Sequence, residues 1–426
     1  MGGRYGATMH LMKMILPALA ALLLSTTASA QPTDRDMARA VAVLKKQPVI
    51  DGHNDWPGAL RGRFGEEWWQ VDLMADSRRF QNPMHTDIPR LHEGQVGGQF
   101  WSVYVPASVT GPEAVKATIS QIDIVHGIIR RYPEHFALAS TAADIRRIQK
   151  QGKIASLLGV EGASQMDNSL PVLRMYHQLG VRYMTLTHTK HSDWADSANE
   201  APRAVPLTDF GKVVINEMNR IGMLVDLSHV SPATMKAVLA VTKAPVIFSH
   251  SSARGLADHP RNVPDDVLAM MKDNGGVVMA NFVPGFIDQK SVEYAAARSA
   301  AFTRFNLLYL GQPDRSAAAM AEWTKANPAP VVDYTVVADH LDHMAKVAGH
   351  DHIGLGADYD GIPAGPKGLE GVETYPLLFA ELIRRGWTDE NLQKLAGGNI
   401  LRALEQAEKV AAAMASETPS AATVGR

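Results

Sequence analysis

Short apolar runs rich in β-branched residues recur along the chain at Val49–Gly52, Gly98–Val105, Ile154–Val160, Tyr183–Thr187, Met223–Ser228, Val246–Ser249, Gly276–Phe282 and Ile353–Ala357. Between them lie longer stretches with helical spacing, such as Gly211–Ile221 and Pro264–Asn274. Eight strands alternating with helices predict an α/β fold, a (β/α)8 TIM barrel with parallel strands. A doubly wound open sheet fits less well, because no glycine-rich phosphate loop follows the first strand. The stretch Pro284–Val332 after the seventh strand is Ala- and Arg-rich, with helical spacing at Tyr294–Leu308 and Ala317–Lys325. It is expected to be a helical insertion, placed to act as a lid.

The two ends break the pattern. Arg4 and Lys13, the apolar run Met14–Leu24 and Ala28-Ser29-Ala30 predict a secretory signal peptide over residues 1–30. The mature chain is then exported, periplasmic or secreted, and not held in a membrane. Residues 31–410 read as one barrel domain, and the Ala/Ser/Thr-rich 411–426 as a flexible tail.

Composition narrows the chemistry. The 426 residues are 46% hydrophobic and 20% charged, with net charge −2, which leaves no electrostatic footprint for nucleic acid. There is no cysteine, which excludes disulfides, thiolate zinc sites and Cys nucleophiles. A metal would have to be held by carboxylates and by some of the 16 histidines.

Those residues stand where the barrel would gather them. The first strand runs into His53 and Asp55, the third ends at Glu161, the fourth at His188, the fifth at His229, the sixth at His250 and the eighth at Asp358. Any one of these alone is more often a structural residue or a turn residue. Together, at the C-terminal ends of parallel strands, they would share one cavity at the face where barrel enzymes keep their chemistry. His53 and Asp55, two apart, point the same way on an extended segment. Imidazoles and carboxylates without thiolate suit a divalent ion, zinc first, and Glu161 is placed to bridge two of them.

The motifs resemble the membrane (renal-type) dipeptidase family, as a bacterial-type, exported member. Asp51-Gly52-His53-Asn54-Asp55 with Pro57 is similar to its opening signature. The likeness continues through Asp87-Ile88-Pro89-Arg90-Leu91, Gly97-Gly98-Gln99-Phe100-Trp101-Ser102, Leu186-Thr187-His188 and Val225-Asp226-Leu227-Ser228-His229. Phe248-Ser249-His250-Ser251, Arg261-Asn262, Gly356-Ala357-Asp358-Tyr359-Asp360-Gly361 and Gly398-Asn399-Ile400-Leu401-Arg402 complete it. The resemblance implies an amidohydrolase-like barrel holding two Zn2+ and cleaving dipeptides through a metal-bridging hydroxide. His53 and Asp55 would ligate one ion, His229 and His250 the other, and Glu161 both. His188 would face the substrate carbonyl, Arg261 its carboxylate, and Asp358 would be the acid/base; a homodimer is also implied.

His191 and Val283 depart from the family pattern, and both are expected at the pocket mouth. An amidohydrolase acting on N-acyl amino acids or β-lactams is the nearest alternative. A metal-free glycosidase using Glu161 and Asp358, or a non-catalytic binding protein, is more distant. His340, His343, His350 and His352 spell metal-like motifs but fall on a helix and at the opposite rim, so they are expected to be structural. Trp56, Trp68, Trp69 and Trp101 are candidates for the pocket wall, with core packing the expected role of Trp101.

Overall fold

Nine strands pair in parallel: β1 (Val49–Asn54), β2 (Val96–Tyr104), β3 (Phe136–Leu138), β4 (Ile154–Glu161), β5 (Val181–Thr185), β6 (Leu224–Asp226), β7 (Val246–Phe248), β8 (Val277–Ala280) and β9 (Ile353–Leu355). Eight of them close a ring in the order β2-β1-β9-β8-β7-β6-β5-β4, shut by pairing of β2 with β4 from Gly98↔Ala155 to Tyr104↔Glu161. The fold is a (β/α)8 barrel. The computed structural model describes residues 1–3 and 31–424, so the expected signal peptide lies outside the described residues except for its first three. Among the described residues no helix is long and apolar enough to cross a membrane.

All eight expected strands are present. The ninth, β3, pairs with Ile154–Ser156 at the start of β4 and is too short to stand out as an apolar run. Several strands stop earlier than the apolar pattern suggests. Ser228 N–H and Ser249 N–H both donate to Asp226 Oδ1, at 3.1 and 2.8 Å, in place of ladder partners. The ends of β6 and β7 therefore peel away from the sheet where the site begins.

Buried side chains from seven ring strands, among them Ile50, Phe100, Leu157, Tyr183, Leu224, Ile247 and Met279, form an inner cluster. One glycine matters to this packing. A Cβ on Gly159 would overlap the ring of Tyr183, so glycine at that point lets the tyrosine cross the barrel and reach His53.

The insertion after β8 forms the helices Pro284–Ile287, Gln289–Leu308 and Pro313–Ala326, as its spacing predicts. At the other end, the residues after 411 do not simply fray. The last helix runs to Ala413, Met414 is buried, Ala422 packs on the core, and Arg174 Nη1 donates to Ser420 O at 3.3 Å. The tail's Ala/Ser/Thr composition concealed these anchors.

Candidate metal centre

The site starts from a buried carboxylate inside β1. Asp51 accepts from His53 N–H at 2.9 Å, Gln99 Nε2 at 2.8 Å, Ala357 N–H at 2.9 Å and the Tyr375 hydroxyl at 2.8 Å. These four bonds join β1 to β2, to the end of β9 and to the helix Tyr375–Arg384, and they turn His53 and Asp55 into the barrel mouth. A fully buried carboxylate persists only when its oxygens are satisfied in this way.

The imidazole tautomers follow from their partners. The Tyr183 hydroxyl donates to Gly52 O at 3.1 Å, so at 2.9 Å it accepts from His53 Nδ1–H. Similarly, Ser249 Oγ donates to Asp226 Oδ2 at 2.7 Å and accepts from His250 Nδ1–H at 2.8 Å. Both histidines then turn Nε2 inward. Such orientation of a ring by the hydrogen bond on its far nitrogen is typical of metal-ligating histidine.

Those nitrogens converge on Glu161 at the end of β4. His229 Nε2 lies 3.0 Å, His250 Nε2 3.4 Å and His188 Nε2 3.6 Å from Glu161 Oε1, and His53 Nε2 lies 3.5 Å from Oε2. Asp55 Oδ2 is 3.3 Å from His53 Nε2. Burial, with the charge of Arg261 adding to it at both, holds His229 and His250 well below the usual imidazole range. Glu161 is held well below the carboxylate range against its burial, because His53, His188, His229 and His250 face it. His229 and His250, neutral beside an ionised carboxylate, are in the ligand form, whereas His53, against its burial, is pushed well above the usual imidazole range by Tyr183, Glu161 and Asp55, a pull that a cation would satisfy in place of its proton.

This donor set fits a cation. His229 Nε2 and His250 Nε2 stand 2.9 Å apart with a lone pair on the second, while His53 Nε2 and His229 Nδ1 are buried without any hydrogen-bond partner. Among the described residues, three groups have ligand atoms within 4.8 Å of one another: His53, Glu161 and His250; Glu161, His188 and His229; His53, Asp55 and Asp358. The grouping crosses the expected division, since His250 falls with His53 and His188 joins His229. Glu161 belongs to two groups.

Asp358 and His229 adopt left-handed backbone conformations, φ +64° and +68°. Such strain in non-glycine residues costs about 1–3 kcal/mol each and marks places where side-chain placement dominates. Burial raises the Asp358 carboxyl well above the usual range, with His53 pulling against it and Asp55 and Glu161 pushing with it. Gly361 makes the pair possible, because a Cβ there would collide with Asp55 Oδ2 and Asp358 Oδ1. Gly361→Ala is expected to lower kcat/KM by about tenfold or more through misplacement of these carboxylates, with little change in melting temperature. Steady-state kinetics beside a thermal melt checks this.

Arg261 is 3% exposed, its Nη2 3.4 Å from His250 O and its Nε and Nη1 without partners. Burial lowers its pKa to about 10, so it stays cationic at neutral pH. The Phe286 ring from the insertion lies 5.6 Å from its guanidinium carbon. A cavity of about 920 Å³ takes in Asp55, Tyr104, Glu161, His188, His229, Arg261, Val283, Phe286 and Asp358. Every candidate site residue except the fully interior His53 and His250 thus lines one chamber, and those two meet it through Glu161.

The family model for membrane dipeptidase (peptidase family M19) matches residues 37–418. The chain belongs to the membrane dipeptidase family. Within this family, Dipeptidase verJ of Clonostachys rogersoniana is 40% identical over 392 residues, 89% of each chain. Dipeptidase aclJ of Aspergillus oryzae is 41% identical over 386 residues, 88% of this chain and 82% of its own. The crystal structure of the "probable dipeptidase PvdM" of Pseudomonas aeruginosa superposes with a TM-score of 0.74 at 25% identity, covering 88% of this chain and 99% of that one. This family member is a metallo-dipeptidase, with dipeptides as substrates and a metal cofactor.

Other expectations for this dipeptidase sort as follows. His340 bonds Ala253 N–H and Ile287 O, His343 meets Asp265, and His352 Nδ1 bonds Gly276 O, all structural. Val283 lines the chamber, but His191 does not. Its ring accepts from Ser197 N–H, contacts Ala201 O, and borders a separate smaller cavity beside His188. None of the four tryptophans lines the chamber: Trp56 and Trp101 are core, Trp68 packs on that core, and Trp69 is exposed. Sequence reasoning had not given Asp51, Tyr183, Ser249 or Gly361 roles of their own. A polar side chain inside an apolar strand was the available signal for the first two.

Proposed function

We propose that the protein is a binuclear zinc dipeptidase that hydrolyses dipeptides bearing a free C-terminal carboxylate. The supporting observation is one ionised carboxylate, Glu161, set among four imidazoles in a chamber that also contains a buried guanidinium with unpartnered donors. His53 and Asp55 would hold one ion, His229 and His250 the other, with Glu161 shared. When bound, zinc polarises the scissile carbonyl and brings the pKa of a water toward neutral.

The chain's own groups do the rest. Asp358, ionised, takes the proton of the attacking water on a carboxylate oxygen and later returns it to the leaving amine. His188, packed against the rings of Tyr104 and His229, offers an N–H to the oxyanion that develops on the carbonyl. Arg261 offers its planar guanidinium, whose Nε and Nη1 are unpartnered, to the terminal carboxylate.

Amidating the substrate's C-terminus, or changing Arg261→Lys, is expected to lower kcat/KM by about a hundredfold, mainly through KM. A panel of free, C-amidated and N-acylated dipeptides on zinc-reconstituted protein tests this. Equal hydrolysis of amidated substrates would remove the assigned role of Arg261. Selectivity for blocked amino termini would favour the N-acyl amino acid reading instead. Export after cleavage near Ala30, and homodimer assembly, belong to the same proposal and are checked by N-terminal sequencing and by solution mass.

A further inference from the structure

The chamber is asymmetric in a way that bears on substrate choice. Arg261 follows β7, while another wall is built by the helix Trp56–Phe64, whose N-cap is Asp55 beyond β1. Two strands, β9 and β8, stand between β1 and β7 in the ring of eight, so the two walls lie well apart around the barrel mouth. That helix contributes Gly58, Gly62 and Arg61 to the chamber, and the facing helix Gly111–Arg131 contributes Ala117 and Gln121. Gln121 is tied by its Nε2 to Tyr104 O at 3.3 Å, which fixes this side of the wall. The lobe is therefore floored by small residues and carries one cation.

Arg61 is half-buried, and its guanidinium has no hydrogen bond or ion pair with any described residue. Its neighbour Arg63, two positions on, is by contrast spent on Asn82 O and Pro83 O at 3.2 and 2.7 Å. Arg61 stands six positions after Asp55, roughly 9 Å along the helix axis, and side chains lean toward the N-terminal end of a helix. Arg61 thus leans back along the helix toward the end of the chamber where the site lies.

We propose that this lobe receives the side chain of the substrate's N-terminal residue and selects an acidic one, with Arg61 as the specificity-determining residue. This rests on the reading above in which Arg261 takes the C-terminal carboxylate, leaving the N-terminal residue toward β1. A carboxylate meets a charge-assisted partner in Arg61, while a basic side chain meets a like charge.

The test uses Glu-Ala, Gln-Ala, Lys-Ala and Ala-Ala on the zinc-reconstituted full-length protein. Glu-Ala is expected to exceed Lys-Ala in kcat/KM by about tenfold or more, carried by KM, with Gln-Ala between them. Arg61→Ala should bring the Glu-Ala to Lys-Ala ratio within about threefold, Arg61→Glu should invert it, and Arg63→Ala should leave it unchanged. A ratio unaltered by Arg61→Ala, or a native preference for Lys-Ala or Gln-Ala over Glu-Ala, overturns the proposal. Ala-Ala, scored beside the other three, separates the two readings: if none of the four is hydrolysed, the proposed reading of the site fails. If Ala-Ala is hydrolysed with no bias between Glu-Ala and Lys-Ala, only the role of Arg61 fails.

Discussion

Changing Glu161 to Gln is expected to cut kcat/KM by about a thousandfold or more and to strip metal from the protein. The substitution is nearly isosteric, so the β4 end, the Ser102 hydroxyl at 3.2 Å from Oε2 and the packing around it have no reason to move. What changes is charge. Glu161 is the one ionised group facing His53, His188, His229 and His250 together, and its two oxygens divide among them. A carboxamide offers one weak acceptor and places an NH2 against bare imidazole nitrogens, where it competes with a cation for their lone pairs. Metal analysis of the purified variant, kinetics over a range of added zinc and a thermal melt would be read together. Full metal content with native kinetics would refute the shared-ligand role. Loss of metal with an unchanged apo-protein melt would show that the defect lies in the site and not in the barrel.

The site was legible in the sequence where a polar residue ends an apolar run. Glu161, His188, His229, His250 and Asp358 each follow several buried residues, and a parallel barrel sends all those ends to one face. Arg261 was different. It lies in the segment between β7 and the helix Asp265–Asn274, which has no periodicity to place it, and only the family motif picked it out. Asp51 and Tyr183 were illegible for a third reason. Their roles depend on partners up to 324 and 130 positions away, Tyr375 and His53, and a local pattern cannot supply such pairings. His191 meets a different limit, because its place is set by Ser197 and Ala201 within its own irregular loop and not by the strand before it. How the donors group was also beyond the sequence, because tenths of an ångström among rings from different strands decide it. The barrel itself needed no such detail, since alternating periods of two and 3.6 carry it and errors of a residue or two at strand ends do not change the order around the ring.

Asp358→Asn is expected to lower kcat by about a hundred- to ten-thousandfold, with KM and metal content largely retained. The argument separates two jobs this carboxylate could have. Asp358 lies in one donor group with His53 and Asp55, yet its backbone is held in place by Asp358 N–H donating to His53 O at 3.1 Å, so an Asn side chain can occupy the same position. If the residue carries protons, the variant keeps its ions and loses turnover; if it is a ligand, an ion goes with it. The pH profile gives a second, independent reading. A general base acts in its ionised form, so the rate falls as pH drops below its pKa. Burial has raised that pKa, which moves the acid limb to higher pH than an ordinary aspartate would show. Cations seated beside Asp358 work in the same direction as His53 and draw the limb back down, so zinc-loaded protein should show it at lower pH than burial alone would set. Asn cannot ionise, and the limb that belongs to Asp358 should vanish from the kcat profile of the variant. A variant that retains both its ions and an unshifted acid limb would place the proton carrier on another group in the chamber.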